Sequence, residues 1–452
     1  MTGPRSSAAR PKAFVLTGSF LVFCRAPGYF QELTRRDLKI LLVMPASWRH
    51  QTLSCMKDTT HPASAIEDVA FVEGSVDRDG SFVPGVISSV RSWRERYEIV
   101  GVYAVGETMV EPTGLLADAL GTPAPGLRAS RACRSKYLQR WYLPEFSPPS
   151  AFVPPEHRES FDVSQVTFPA VVKPTGRHSS AGVVTVYDAA ELREQMATYQ
   201  NGETILVEDK VVGQEFSVES LVQHGEVVFA SVTQKETTES TCRSFVELSH
   251  TVPTGRTDLR DTILAANQRV LTQLAFGDGI THAEWRVDSG GRPVLMEVAA
   301  RSPGDGLPVL YLLTTGAPIE PEIIRIALGE RATYPPPRRH ARQVYLEHEP
   351  GVLRDVTVDW PGVVPAWVGE AGIWPEVQPG PDDDPPTLRA VFVLKDRGDE
   401  LGALRSSEDR AVTFFIDAPS AEELDELDRR VRRAVTVHTA GRSHTATPGR
   451  PE

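Results

Sequence analysis

The most informative part of the sequence is His282-Ala-Glu-Trp-Arg-Val-Asp-Ser-Gly-Gly-Arg-Pro-Val-Leu-Met-Glu-Val-Ala-Ala-Arg301. Residues 282–287 alternate between polar and apolar side chains. Residues 289–291 are typical of a tight turn, and an apolar run begins at Val294. This pattern predicts a β-hairpin. Glu297 is unusual within the apolar run, because a carboxylate is rarely buried unless it is paired or binds a metal.

A second carboxylate precedes the turn. Glu284 lies on the first predicted strand, where a hairpin brings it close to Glu297. Two carboxylates on rigid strands, followed by Arg301, are suited to hold Mg²⁺ together with nucleotide phosphates. From this part of the chain alone an alternative is equally open, in which Glu284 is solvated and Glu297 forms a salt bridge with an arginine.

The composition indicates a soluble protein of several domains. The chain has 452 residues, which is too long for one hydrophobic core and predicts about two to four domains. Hydrophobic residues make up 40% and charged residues 24%, as in ordinary globular proteins. The formal net charge of −12 argues against a nucleic acid or an anionic membrane surface as the main partner.

The cysteines and the N-terminus predict a cytoplasmic protein. The cysteines are scattered and form no Cys-x-x-Cys pair, so no disulfide framework or zinc site is expected. The apolar run 13–24 is interrupted by Thr17-Gly18-Ser19 and lacks the cleavage site of a signal peptide. We therefore expect residues 1–12 to be a disordered tail. No apolar run approaches the roughly 18 residues that span a bilayer.

Residues 13–129 are predicted to form an α/β domain. Continuous apolar runs indicate strands of a parallel sheet that is covered on both faces. These strand candidates are Phe14–Val22, Lys39–Met44, Ala70–Phe71 and Ile99–Val105. A helix is predicted at Glu111–Leu120, before a proline-containing linker.

Residues 130–204 are predicted to form a second unit. A helix is expected at Arg131–Leu143, and a later strand carries Lys173 and leads into the small polar loop Thr175–Gly182. Backbone amides of such a loop can surround phosphate oxygens, and Lys173 supplies a positive charge. The Walker pattern is absent and the loop opens no helix, so an ordinary hairpin loop is the alternative.

Two further units complete the predicted α/β architecture, which has α+β character toward the C-terminus. Residues 205–334 are expected to form a unit that contains the hairpin already described. Residues 335–452 are expected to form a β-rich domain, which begins at Pro335-Pro-Pro-Arg-Arg and ends with a helix at Ser420–Val437.

Several charged residues are ambiguous when each is considered alone. Lys136 belongs to a basic helical segment that is typical of a solvated face, and Glu208 and Glu215 are typical of exposed strand ends. Glu247 and His250 point to opposite faces of an ideal strand, so a loop or bulge is needed before both can line one site. A structural histidine is the simpler interpretation of His250.

Taken in chain order, these residues form a more specific pattern. Its elements are Arg134-Ser-Lys136, Phe168-Pro-Ala-Val-Val-Lys-Pro174, Ser179-Ser-Ala-Gly182, Val207-Glu208, Gly213-Gln-Glu215, Glu284, Glu297 and Arg301. The set resembles the ATP-grasp superfamily, and within it the carboxylate–amine ligases that join amino acids into dipeptides. The resemblance runs from about residue 95 to 330 and, more weakly, to the C-terminus. It implies an ATP-grasp fold, in which residues 130–204 would be the central or lid subdomain and residues 205–334 the catalytic subdomain.

The resemblance also implies a nucleotide site. ATP phosphates would be held by Lys136 and Lys173 and covered by Ser179, Ser180 and Gly182. The adenosine part would contact Glu208, Asp209, Val211 and Glu215. Glu284 and Glu297 would bind Mg²⁺, for which Mn²⁺ can substitute. One departure is Ala299, because many ATP-grasp enzymes have an asparagine metal ligand at this position and alanine cannot coordinate.

The implied activity is the formation of an amide bond. Glu297 and Arg301 would be catalytic, with Arg301 facing an acyl phosphate, and the small-molecule amino-acid or short-peptide substrates would contact Glu107, Glu247, His250, Arg301, Gly304 and Asp305. Asp305 either favours a cationic substrate group or bonds its own turn backbone. A biotin-carboxylase-like enzyme and a nucleotide-binding regulator without turnover are the alternatives. Related ligases are commonly dimers, so a homodimer is possible.

Overall fold

The computed structural model describes residues 9–75, 78, 80–176, 182–240, 245–368 and 372–440. Within them the chain forms four β-sheets with helices packed around them. The α/β class predicted from the sequence is confirmed. None of the helices in these ranges is both long and apolar enough to cross a membrane.

The first sheet is parallel, with the strand order β3-β2-β1-β4. Its strands are β1 (Lys12–Thr17), β2 (Lys39–Pro45), β3 (Ile66–Val72) and β4 (Glu98–Ala104). Phe14 and Leu16 pack into one core, whereas Ala13 and Val15 pack into another on the opposite face. Burial on both faces is the physical reason for the continuous apolar runs in the sequence.

The helices of this region are α1 (Phe20–Arg25), α2 (Gly28–Arg35), α3 (Arg49–Cys55), α4 (Val83–Trp93) and α5 (Val110–Leu120). The predicted strand Phe14–Val22 was wrong beyond Thr17, where the chain turns and enters α1. Phe20, Phe23 and Cys24 are buried at helical spacing, which outweighs the extended appearance of this apolar run.

The predicted helix Arg131–Leu143 was also wrong, because it is two helices, α6 (Leu127–Ala132) and α7 (Lys136–Tyr142). Ser135 caps the second helix by accepting a hydrogen bond from the Leu138 backbone N–H at 3.3 Å. The break makes Lys136 the first residue of α7. Lys136 therefore begins a helix, and we consider it a candidate site residue rather than part of a solvated basic helical face.

The second sheet is antiparallel, with the order β5-β8-β6-β7. Its elements are β5 (Ser150–Val153), β6 (Ala170–Pro174), β7 (Val184–Val186), the helix α8 (Ala189–Thr198) and β8 (Ile205–Asp209). Val172, Val186, Leu192 and Met196 form part of its core. Lys173 lies on β6, and the small polar loop follows that strand.

The third sheet has nine strands, in the order β13-β12-β9-β10-β11-β14-β19-β17-β16. Its first five strands in sequence are β9 (Gly213–Gln223), β10 (Glu226–Thr237), β11 (Glu247–Val252), β12 (Gly279–Asp288) and β13 (Pro293–Ala299). The accompanying helices are α9 (Thr257–Gln273), α10 (Leu307–Thr315) and α11 (Glu320–Ala327). Strands β12 and β13 pair antiparallel, which confirms the predicted hairpin.

The C-terminal part continues this sheet. It contributes β14 (His340–Tyr345), β16 (Ala366–Trp367), β17 (Thr387–Val393) and β19 (Val412–Ala418), so the sheet extends across Pro335. A small sheet contains β15 (Gly351–Val358), β18 (Glu400–Leu401) and β20 (Val435–Ala440). The predicted helix Ser420–Val437 was too long, because α12 (Ala421–Ala434) ends where β20 begins.

Candidate active site

One cavity of about 1030 Å³ collects nearly all of the residues singled out in the sequence. It is lined by Glu107, Lys136, Lys173, Glu208, Asp209, Val211, Glu215, Glu247, His250, Glu284, Glu297, Arg301, Gly304 and Asp305. Gly182 is not among the lining residues, and its carbonyl oxygen accepts a hydrogen bond from the Tyr199 hydroxyl at 2.6 Å. Ser179 and Ser180 lie outside the described residues.

Glu284 and Glu297 are direct cross-strand partners on β12 and β13. The register shifts immediately beyond this pair, where Trp285 is paired with Leu295 and Met296 is the extra residue. Opposed residues of an antiparallel pair point to the same face, so both carboxylates face the cavity. Lysines accompany both: Lys136 Nζ is 3.2 Å from Glu297 Oε1, and Lys235 Nζ is 2.6 Å from Glu284 Oε1.

Lys235, on β10, is surrounded by negatively charged side chains of the cavity. Its side chain is 2% exposed, and its Nζ atom lies 3.7 Å from both Glu215 Oε1 and Glu247 Oε1 in addition to Glu284. Burial alone would lower the pKa of Lys235, but the three carboxylates outweigh it and raise the pKa, so the ammonium stays charged. The same ammonium keeps the pKa of Glu284 well below its usual range despite burial.

Glu284 is contacted by a buried network of hydrogen-bonded side chains. His282 Nδ1 is 2.7 Å from Glu219 Oε1, and His282 Nε2 is 3.3 Å from Glu284 Oε1. Glu219 is fully buried and also accepts hydrogen bonds from the Thr233 hydroxyl at 2.7 Å and the Tyr311 hydroxyl at 2.5 Å. This arrangement fixes the orientation of the imidazole ring that contacts Glu284.

Glu208 connects the second sheet to α7. Its carboxylate forms ion pairs with Lys173 Nζ at 2.5 Å and with the Arg140 guanidinium. Burial would raise the pKa of Glu208, but Arg140 and Lys173 outweigh it and hold the pKa at about 2. Burial is also the main cause that lowers the pKa of Lys173. Glu208 thus bridges two cations at the end of the cavity where the resemblance implies the nucleotide.

Glu215 forms an ion pair with Arg286. Arg286 Nη2 donates to Glu215 Oε2 at 2.9 Å, and Arg286 Nη1 donates to the Val211 carbonyl oxygen at 3.1 Å. Arg286 Nη1 also lies 2.7 Å from Glu239 Oε2. Burial raises the pKa of Glu215, and the neighbouring carboxylates add to this effect. Burial likewise raises the pKa of Asp209.

Arg301 faces the cavity from the segment that follows β13. Its Nε atom donates to Glu107 Oε2 at 2.5 Å, and its Nη1 atom donates to the Ser302 carbonyl oxygen at 2.8 Å. Its Nη2 atom forms no hydrogen bond with the described residues. Glu107 lies just after β4, so the contact joins the first sheet to the third. A guanidinium with a free nitrogen can bind a planar carboxylate or an oxyanion.

A β-bulge brings Glu247 and His250 to the same cavity. Thr237 pairs with Glu247 and Glu236 pairs with Ser249, so Leu248 is the extra residue. The bulge that we expected to be needed for both residues to line one site is therefore present. Burial lowers the pKa of His250 to about 3, so its ring is neutral, and its Nδ1 atom has no hydrogen-bond partner in the described part of the chain.

Asp305 is paired with the C-terminal part of the chain. Its carboxylate oxygens lie 2.6 Å and 3.1 Å from the Nη atoms of Arg410, whose guanidinium also lies over the Tyr345 ring. Burial would raise the pKa of Asp305, but Arg410 outweighs it and lowers the pKa. The carboxylate is thus already neutralised by a residue of this chain, which argues against a subsite for a cationic substrate group.

The sequence interpretation missed Lys235, Glu219, His282, Arg286 and Arg410. For Lys235 a signal was present, because Phe229, Ser231, Thr233 and Lys235 alternate along β10 and share one buried face. Glu219 likewise lies within an apolar strand, as Glu297 does. Arg410 gave no local signal, since its partner Asp305 is distant in the sequence.

The residues present fit a magnesium ion that is shared with a nucleotide. Among the described residues, no group of three or more histidine, cysteine, aspartate or glutamate side chains is arranged to hold a metal by itself. Glu284 and Glu297 supply two hard oxygen donors on one face, and Mg²⁺ is commonly held by one or two carboxylates together with substrate phosphates. Ala299, directly opposite His282, adds no donor.

Comparison with known proteins identifies the fold. A family model described as "ATP-grasp domain" matches residues 166–307. The uncharacterized protein y4rH of Sinorhizobium fredii is 28% identical over 251 residues, which are 52% of this chain and 50% of that protein. The chain thus spans about half the length of this curated relative.

Solved structures match over nearly the whole chain. The L-amino acid ligase from Bacillus licheniformis has a TM-score of 0.71 and 20% identity, with coverage of 96% of this chain and 100% of that one. Phosphoribosylglycinamide synthetase from Anaerococcus prevotii has a TM-score of 0.63 and 13% identity, with coverage of 95% and 100%. The biotin carboxylase domain of the Hydrogenobacter thermophilus 2-oxoglutarate carboxylase has a TM-score of 0.62 and 13% identity, with coverage of 96% and 92%. Residues 166–307 thus match an ATP-grasp domain, and the chain has the fold of these ATP-grasp-like solved structures.

Proposed function

We propose that this protein is an ATP- and Mg²⁺-dependent ligase that joins an amino-acid carboxylate to the amine of an amino acid or short peptide. The observation that carries the proposal is the opposed pair Glu284 and Glu297, which shares one cavity with Arg301. Similarity to the Bacillus licheniformis L-amino acid ligase supports it. The Hydrogenobacter thermophilus domain was solved with MgADP and bicarbonate, which supports a nucleotide and a metal in this fold.

In the first step, a carboxylate oxygen of the acyl substrate attacks the γ-phosphorus of ATP. The bond from that phosphorus to the bridging oxygen breaks, and ADP leaves. Lys136, Lys173 and Lys235 offset the negative charge of the reacting groups. Glu284 and Glu297 would hold Mg²⁺, which supplies further charge neutralisation at the phosphates.

In the second step, the nitrogen of the amine substrate attacks the acyl carbon. A C–N bond forms, the C–O bond to phosphate breaks, and phosphate leaves together with the proton that the nitrogen releases. Arg301 would donate to the oxygen that gains charge through its Nη2 atom, which forms no hydrogen bond with the described residues. The neutral ring of His250 lines the same cavity.

The acyl phosphate must be kept from water. The sequence predicts that the small polar loop Thr175–Gly182 closes over the phosphates and excludes water. Only residues 175, 176 and 182 of this loop are among the described residues, so its closure is an expectation from the sequence.

The direct test is a screen of substrate pairs with purified protein. ADP and phosphate should be released only when a suitable acid and amine are both present, and mass spectrometry should detect their condensation product. ADP release driven by bicarbonate alone would favour a biotin-carboxylase-like activity instead. Binding of ATP without turnover for any pair would indicate a nucleotide-binding regulator.

A further inference from the structure

The two carboxylates that we assign to magnesium are already partly occupied by donors of the protein itself. Glu284 Oε1 accepts a hydrogen bond from Lys235 Nζ at 2.6 Å and lies 3.3 Å from His282 Nε2. Glu297 Oε1 accepts a hydrogen bond from Lys136 Nζ at 3.2 Å. The second oxygen of each carboxylate forms no hydrogen bond with the described residues. One oxygen of each glutamate therefore remains open to a metal ion.

The described part of the hairpin adds no further metal ligand beside these two oxygens. Ala299 lies two residues after Glu297 on β13, so its side chain points to the same face, and it has no donor atom. Within the described ranges, no three acidic, histidine or cysteine side chains are grouped to hold a metal. Mg²⁺ usually combines one or two carboxylates with phosphate oxygens and water. The two open oxygens are sufficient for one such ion, whereas a second ion would have to compete with Lys235 for Glu284.

Lys235 lies beside Glu284, where such a second cation would have to bind. Its Nζ atom is 2.6 Å from Glu284 Oε1 and 3.7 Å from both Glu215 Oε1 and Glu247 Oε1. The side chain is 2% exposed and is carried by β10, which is held between β9 and β11 in the nine-stranded sheet. Displacement of the lysine would leave buried charges without their partners, which is strongly unfavourable. We therefore expect the lysine to stay in place when a metal binds.

A lysine in this position also supplies the positive charge that a second metal ion would supply. Lys235 lines the same cavity as Lys136 and Lys173. Phosphate groups bound in this cavity would lie among three ammonium groups. Positive charge around the phosphates is the main contribution of the metal ions and lysines in phosphoryl transfer. The protein thus provides part of this charge through its own side chains.

We propose that this site holds one divalent cation per bound nucleotide, and that the ammonium group of Lys235 takes the place of a second. The cation binds the open oxygens of Glu284 and Glu297, while Lys235 stays bound to the other oxygen of Glu284. The inference rests on the proposed function for the presence of a metal–nucleotide complex in this cavity. It does not depend on which acid and amine are joined.

The number of bound ions is counted with Mn²⁺, because free Mn²⁺ gives a strong electron paramagnetic resonance signal. The full-length protein is mixed with β,γ-imido-ATP, which keeps its γ-phosphate, and is titrated with Mn²⁺; the protein and the nucleotide are each measured alone for comparison. One Mn²⁺ ion should bind per protein–nucleotide complex. Two ions would overturn the inference, and amide formation by such a two-ion enzyme would leave the proposed function intact. Nucleotide binding without Mn²⁺ would overturn the proposed metal site as well.

Two substitutions of Lys235 separate its charge from its volume. Lys235→Ala removes the ammonium group and leaves an open space beside three carboxylates, so it should bind a second Mn²⁺ ion. Lys235→Met removes the same charge but fills the space, and this matched control should bind one ion. Without nucleotide, Mn²⁺ should raise the thermal transition of Lys235→Ala more than that of Lys235→Met. A single bound ion in folded Lys235→Ala would contradict the proposal.

Ala299→Asn tests the same inference in a protein that retains the lysine. The substitution adds an amide oxygen on the face of β13 that carries Glu297. The number of bound ions should stay at one, because Lys235 still occupies Glu284. Two ions in Ala299→Asn would show that the missing ligand, and not the lysine, limits the number of ions. That result would overturn the proposal even if neither variant of Lys235 folds.

Discussion

Lys235 Nζ lies 2.6 Å from Glu284 Oε1, so a lysine is bound directly to one of the two carboxylates that we assign to magnesium. The lysine is almost fully buried, and two further glutamates lie within 3.7 Å of it. Its charge is therefore needed to offset theirs in the protein without a metal. A cation that enters the site will share these carboxylates with Lys235.

Replacement of Lys235 is expected to affect stability and activity together. Lys235→Met would leave the surrounding carboxylates without their common partner, and loss of one member of a buried ionic group costs about 3–5 kcal/mol. The free energy of unfolding, measured with urea, should fall by about this amount, and turnover should fall at least about a hundredfold. Lys235→Arg keeps the charge and should retain most of the stability. Unchanged stability in Lys235→Met would contradict the central role of this lysine.

His282 is expected to position Glu284 for the metal–nucleotide complex. Its two ring nitrogens contact Glu219 and Glu284 at 2.7 Å and 3.3 Å. His282→Asn keeps a polar group near Glu219 but cannot reach Glu284, whereas His282→Gln places its amide closer to Glu284. The measurement is the ratio of ADP affinities with and without Mg²⁺. This ratio should fall in His282→Asn and recover in part in His282→Gln; equal ratios in all three proteins would show that His282 has only a structural role.

Glu297→Gln is expected to abolish turnover while the fold remains intact. The substitution removes the negative charge that would bind Mg²⁺ but retains the shape of the side chain on β13. Circular dichroism and the thermal transition should be close to those of the original protein, and phosphate release should fall by about a hundredfold or more, as for loss of a metal ligand. Substantial activity in a folded variant would remove Glu297 from the proposed metal site.

The buried His250 predicts a specific dependence of stability on pH. Burial lowers its pKa in the folded protein to about 3, whereas the unfolded chain takes up a proton near its ordinary value of about 6.5. Its contribution is therefore fully present above pH 6.5 and is lost as the pH falls toward 3. Between pH 6.5 and 5, this loss is about 2 kcal/mol.

The corresponding experiment compares urea unfolding at pH 7 and pH 5. His250→Asn should lose less stability between these two values than the original protein does, by about 2 kcal/mol. His50→Asn replaces an exposed histidine and serves as the control. If the two variants respond equally to pH, His250 is not neutral in the folded protein.

Local patterns in the sequence were sufficient for the hairpin and for the pairing of Glu284 with Glu297, because both follow from alternation and a glycine turn. They were not sufficient for α1, where Phe20 and Phe23 are buried on a helix although the run reads as extended. The contact between Arg301 and Glu107 joins residues that are far apart in the chain, and the pattern gave no indication of it except through the resemblance. Lys235 was missed because a single charge on a strand is ordinarily solvated.

The account is tested most directly by phosphate and ADP release from purified protein across pairs of amino acids, with mass spectrometry of the products. It predicts that both products appear only when an acid and an amine are present together, in equal amounts with a new amide whose mass is the sum of the two substrates less one water. ADP release with bicarbonate alone, or nucleotide binding without an amide product for any pair, would contradict the proposed ligase activity.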